Sequence, residues 1–284
     1  MEGTGRTAPL RLGGRDLGEH SIMAVVNRTP DSFFDRGSTY AFDAALAAVD
    51  RAVAEGAAII DIGGVKAGPG DEVDVTEELR RVVDTVAAVR ERHPGVVISV
   101  DTWRAEVGDA VARAGADLLN DTWGGPDPEL AAVAAEHGLG LVCAHAGRQE
   151  PRTRPHRVGY DDVVAEVIAH VTAEAERAVA LGVPREGILI DPAHDFGKNT
   201  RQSLEISRRL GELVGTGWPV LVAVSNKDFI GESLGRPVDK RGVGTMAVLG
   251  VSAWLGARVF RVHDVAGARG ALARVAALSG RDGG

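Results

Sequence analysis

Cysteine is almost missing from this sequence. Its 284 residues contain one, Cys143. No disulfide framework can form within the chain, which suits a reducing cytoplasm. Cys143 lies inside the apolar run GLVCAH and reads as a small buried hydrophobe. Long hydrophobic runs are missing too: none approaches the roughly 18 residues needed to span a bilayer. The opening segment MEGTGRTAPLRLGG has no apolar core and is not a signal peptide. Positive charge is in deficit, with a formal net charge of −8 and a pI near 5.5. That balance argues against a nucleic-acid surface or an anionic membrane surface, although a local basic pocket stays open. No Pro/Ser-rich linker divides the chain, so one domain is expected. An N-terminal extension over 1–19 and a tail over 279–284 would flank a body at 20–278.

Against these absences stands a strong alternation. Short β-rich runs are SIMAVV (21–26), AAIIDI (57–62), VVISVD (96–101), ADLLND (116–121), GLVCAH (140–145), GILIDP (187–192), PVLVAVS (219–225) and ARVFRVH (257–263). Most lack strict apolar/polar alternation, which marks strands buried on both faces of a parallel sheet. Between them, helical periodicity is expected near 41–55, 76–92, 104–114, 127–137, 160–182, 201–214, 238–256 and 266–278. Gly56, Gly115, Gly138, Gly182 and Gly256 sit just ahead of the next strand, where left-handed helix caps belong. Eight strand–helix units close a TIM (β/α)8 barrel, which commonly needs about 250 residues. A doubly wound open sheet uses the same units and is the alternative.

The strand ends favour the barrel. They read Asn27, Asp61, Asp101, Asn120 with Asp121, His145, Asp191, Ser225 with Lys227, and Arg261 with His263. A polar group at the same end of every strand suits a ligand at a barrel mouth. Asp101, Asn120 and Asp191 offer carboxylates and an amide for a flat heterocycle bearing N–H donors. Arg261 and His263 alternate on one strand and point the same way. With Asn27 they suit a phosphate or diphosphate.

These residues carry a resemblance. NRTPDSFFDRG (27–37) resembles the N-x-T-P-D-S-F-S-D-G-G loop of dihydropteroate synthases. DIGG (61–64), ISVDTWRAEV (98–107), AGADLLND (114–121), ILIDPAHDFGK (188–198), PVLVAVSNKDFIG (219–231) and RVHDV (261–265) match further blocks in order. The resemblance implies a barrel, commonly a homodimer. It also implies a reaction joining 6-hydroxymethyl-7,8-dihydropterin diphosphate to 4-aminobenzoate, with Mg²⁺, to give dihydropteroate and diphosphate for folate. Asp101, Asn120, Asp191 and Lys227 resemble the pterin-binding set. Asn27, Arg261 and His263 resemble the diphosphate set, with Asn27 on the Mg²⁺. If the chain is active, Lys227, Arg261 and His263 are its catalytic candidates. The 27–37 loop, with Thr29, Pro30 and Phe33, resembles the lid on the aminobenzoate side, beside Ser225.

The pattern breaks in the loops. The family reads D-I-G-G-E-S-T-R-P-G where this chain reads DIGGVKAGPG, leaving Val65, Lys66, Ala67 and Gly68. S-R-K becomes Ser225, Asn226, Lys227, and Asp228 follows. Asp228 would repel a benzoate carboxylate, or cap the next helix. In the sixth unit G-x-G-F-G-K reads Ala193, His194, Asp195, Phe196, Gly197, Lys198. Losing two arginine contacts would cost about 3–6 kcal/mol, on the order of 10² to 10⁴ in rate. Arg28 or Lys66 would have to compensate. The expectation is a pterin-binding paralogue with weak or absent synthase activity. The alternatives are an active synthase, a related transferase using another amine, or a folate-dependent methyltransferase serving a corrinoid protein. Arg261 and His263 speak against the last, since a methylfolate brings no diphosphate there.

Overall fold

The computed structural model describes residues 9–30, 37–147, 149–153 and 159–280. It opens with a small antiparallel hairpin, β1 (Arg11–Leu12) and β2 (Arg15–Asp16). Eight parallel strands follow: β3 (Ser21–Asn27), β4 (Ile59–Gly63), β5 (Val97–Asp101), β6 (Leu118–Asp121), β7 (Gly140–Ala144), β8 (Ile188–Asp191), β9 (Leu221–Val222) and β10 (Val259–Val262). Their order is β8-β7-β6-β5-β4-β3-β10-β9. A parallel bridge between Ile190 and Val220 joins the two ends, so the sheet closes. That closure excludes the open-sheet alternative.

The helices are α1 (Phe42–Glu55), α2 (Val75–Arg92), α3 (Ala105–Ala114), α4 (Leu130–Glu136), α5 (Val163–Leu181), α6 (Thr200–Arg208), α7 (Leu210–Val214), α8 (Asp228–Leu234), α9 (Gly242–Trp254) and α10 (Val265–Ser279). The expected glycine stops hold, as at Gly56, whose φ of 105° is one that glycine adopts without a Cβ penalty. Three helical expectations change. The helix over 201–214 divides at Arg209. The one over 238–256 becomes a short 3₁₀ turn, Val238–Lys240, and then α9. The short α8 lies outside the expected helical ranges, although a cap reading of Asp228 implies a helix there. No described helix is long and apolar enough to cross a membrane.

The barrel interior is tiered. Met23, Ile59, Val97, Leu118, Val142, Leu189, Leu221 and Val259, one from each strand, form an apolar layer. Leu10 and Leu12 of the hairpin, each at most 2% exposed, plug this layer from below. The boundary expected at residue 20 therefore falls inside the fold: residues 9–19 are the barrel's lower lid. Two residues further along a strand the side chain returns to the same face. In that second tier stand Asp61, Ser99, Asn120, Asp191 and Arg261. The sequence thus changes from oil to polar network in one strand step.

Candidate functional site

Asp61 is the hub of the second tier. It is fully buried and accepts from Ser99 Oγ at 2.6 Å, Arg261 Nε at 2.6 Å and Asn120 Nδ2 at 3.3 Å. Arg261 also donates from Nη2 to Asp101 Oδ2 at 2.9 Å, and Thr122 Oγ1 donates to Asp101 Oδ1 at 3.1 Å. Burial opposes the Arg261 charge, but the Asp61 and Asp101 carboxylates outweigh it and raise its pKa. Burial also pushes Asp101 up to about 7, against the opposing pull of Arg261. Asp61 was placed on the rim by sequence but given no role. The signal was its position inside an apolar run, where an ionised group needs a partner.

Asp191 and Lys227, the other members of the set that resembles the pterin-binding one, lie within electrostatic reach of Arg261. Asp191 accepts from Ala193 N at 2.7 Å, and burial raises its pKa. Lys227 donates from Nζ to the His194 carbonyl and lies 4.7 Å over the Phe196 ring. Its pKa is lowered by burial, with the Asp191 and Asp195 carboxylates pulling the other way. Asn120 Oδ1 is buried and has no partner among the described residues. An N–H donor on a ligand would satisfy it. Lys198, named only as part of a motif, is buried and donates to the carbonyls of His145 (2.6 Å), Ala193 (3.2 Å) and Phe196 (2.7 Å). It ties loops together.

Above the tier opens a cleft whose lining includes Asn27, Thr29, Val65, Lys66, Ala67, Ser225 and His263. Thr29 Oγ1 is buried without a partner among the described residues. Pro30 lies exposed at the rim, and Phe33 lies outside the described residues. His263 Nδ1 is 2.9 Å from Ser225 Oγ. Burial first, and Arg261 second, depress its pKa to about 3, so it is neutral at physiological pH. The structure therefore gathers Asn27, Arg261 and His263 at one place, but Arg261 is already shared by two carboxylates.

The altered loops now acquire positions. Ala67 lines the cleft without a donor. Gly68 is open: a Cβ there would meet only Lys66 Cε, at 3.8 Å. Arg28 does not compensate. It is buried, donates Nε to the Arg81 carbonyl at 3.1 Å and Nη1 to the Tyr40 carbonyl, and lies over the Tyr40 and Phe42 rings. It supports the loop's outer side. Asn226 is buried with φ 56°, a left-handed value that Asn tolerates better than most residues. Asp228 does not cap α8; the N-cap position is Lys227, and Asp228 is an exposed first-turn residue paired with Arg241 at 2.8 Å. Its repulsion toward an anion is correspondingly weakened.

The sequence model of the family described as pterin binding enzyme matches residues 23–263. This chain belongs to the pterin-binding enzyme family. The inactive dihydropteroate synthase 2 of Mycobacterium tuberculosis is 58% identical over 263 residues, covering 91% of this chain and 83% of that protein. The dihydropteroate synthase of Bacillus subtilis is 38% identical over 246 residues, 86% of this chain and 83% of that one. Among solved structures, the Yersinia pestis dihydropteroate synthase with a sulfonamide drug superposes with a TM-score of 0.91 at 35% identity. It covers 97% of this chain and 100% of that one. The family's barrel is thus present over nearly the whole length. The departures from the synthase pattern named above, at 65–68 and at Asn226, lie in loops at this end of the barrel.

Proposed function

We propose that this chain is a dihydropteroate-synthase-like barrel that binds a pterin and has weak or absent synthase activity. One observation carries the reading: Arg28, a cation close enough in sequence to replace the lost arginine, is committed to the backbone outside the cleft. The second tier supports the binding half. Asn120 and Asp191 in that tier, with Asp101 and Lys227 lining the cleft above it, supply carboxylates, an amide and an ammonium, and Asn120 Oδ1 is an unsatisfied acceptor among the described residues. The mycobacterial relatives named as inactive agree with the other half.

Mg²⁺ fits the rim as a substrate-borne ion. Among the described residues no three His, Cys, Asp or Glu side chains converge on a metal position. Asn27 Oδ1 stands beside Gly63, 3.5 Å from where a Cβ there would lie. One protein ligand plus diphosphate oxygens is an ordinary Mg²⁺ arrangement, and the ion would neutralise a leaving diphosphate. Homodimerisation is part of this reading. The outer face of α9 lacks charge and leaves Val243 87% and Trp254 58% exposed. A cytoplasmic location agrees with Cys143 being unpaired.

The test is turnover. Purified protein is incubated with dihydropterin diphosphate, 4-aminobenzoate and Mg²⁺, and dihydropteroate is sought by mass. The expected result is no product while 6-hydroxymethylpterin still binds. Product at an ordinary enzyme rate would support the second reading, an active synthase, in which Lys66 in the same cleft replaces the missing cation.

A further inference from the structure

Asp195 stands where the family's sixth-unit pattern has glycine, and it keeps a left-handed backbone, φ 68°. The neighbouring glycine position is Ala193, at φ 48°. Two non-glycine residues in this region are strained, and such strain persists only where surrounding contacts over-determine it. The contacts are on hand. The Asp195 carboxylate accepts from Ser203 Oγ on α6 at 3.1 Å and from the Phe229 amide on α8 at 3.2 Å. Asp195 N donates back to Ser203 Oγ at 3.1 Å. His194 reinforces both ties, with Nε2 3.1 Å from Ser207 Oγ and its ring stacked on Phe229 at 5.3 Å.

Phe229 is the second residue of α8, and its amide is one of the orphan donors at a helix start. The N-cap residue is Lys227, whose side chain has no acceptor and makes no cap. We infer that Asp195 is a positioning residue: it caps α8 from a different loop and so fixes Lys227, which the same loop holds again through the His194 carbonyl. The sixth and seventh strand loops become one unit across the pterin site. Glycine at 195 would accept the backbone but could not make the tie. Replacing it therefore exchanges a relaxed loop for a fixed lysine. This rests on the pterin-binding reading for its functional meaning, while the tie itself is a property of the fold.

The test uses the full chain with Asp195→Gly and Asp195→Asn. Asn tolerates the left-handed conformation, and its Oδ1 and Nδ2 can serve Phe229 N and Ser203 Oγ. For D195G, relief of backbone strain offsets the lost bonds, so the melting temperature is expected to fall by no more than about 4 °C. Affinity for 6-hydroxymethylpterin is expected to weaken about tenfold, the worth of roughly one well-placed hydrogen bond. Amide exchange over 227–232 is expected to accelerate. D195N is expected to restore both. Unchanged affinity and unchanged exchange in D195G would overturn the inference. So would a D195N variant as impaired as D195G. If the unmodified protein binds no pterin, the proposed function fails, and the exchange comparison still decides whether Asp195 caps α8.

Discussion

The second tier and the rim above it are built from neighbouring residues of the same strands, yet they treat charge in opposite ways. In and just above the tier, charges are paired with each other: Asp61 and Asp101 hold Arg261, and Lys227 lies near Asp191 and Asp195. At the rim the grip is thin: Lys66 lines the cleft, but Arg28 serves the scaffold, His263 is neutral, and Ala67 and Gly68 carry no charge. A buried charge removed without its partner costs several kcal/mol, so the tier resists change. A solvent-facing loop residue carries no such penalty, so the rim can lose ligand contacts while the fold persists. A barrel can therefore keep its recognition floor and shed its anion grip.

The sharpest way to break this comparison is Arg261→Met. It leaves Asp61 and Asp101 buried without a cation, and the expected loss is about 3–5 kcal/mol of stability. Urea unfolding measures it, and a loss under roughly 1 kcal/mol would place Arg261 with the dispensable rim residues.

Next comes the rim itself. Gly68→Arg has room for its side chain and should strengthen dihydropterin diphosphate binding by about 1.5–3 kcal/mol, roughly 10- to 100-fold. Adding Asn226→Arg should gain less, because the left-handed backbone there costs a larger residue about 1–2 kcal/mol. Titration calorimetry separates the cases. No gain from Gly68→Arg would mean that the cleft has been rebuilt beyond its lost side chains.

Per pH unit, the smallest effect is a pH slope. His263 is held at about 3, below its usual value, because burial favours the neutral ring. Its contribution to stability is complete above about pH 6.5, where the unfolded chain is also neutral. As pH falls from there toward 3, the unfolded state binds a proton that the folded state refuses. Stability then drops by up to about 1.4 kcal/mol per pH unit. His263→Gln should flatten that slope in denaturation curves taken between pH 6.5 and 4.5. An unchanged slope would show that the ring takes up its proton in the folded chain.

Much of this is legible in the sequence. The eight apolar runs, their glycine stops and the polar strand ends announced the barrel, because strand burial and helix capping are local effects of residue type. The altered loop residues were equally plain. Three points were not. Asp61 looked like one rim group among many until the register placed it at the centre of the tier. The hairpin at 9–19 looked like an extension because two short strands have little local signature. Arg28 looked like a substitute for a lost arginine because sequence distance says nothing of which side of a loop a long side chain takes.

The sequence by itself determined the architecture, the family and the positions where the synthase pattern is broken, since each rests on local pattern and residue chemistry. Only the tertiary structure decided which charges meet: that Arg261 is shared between Asp61 and Asp101, that Arg28 turns outward, and that Asp195 caps a helix in another loop. Those pairings join residues up to 200 positions apart, and a pairing over that distance is fixed by strand register and barrel closure.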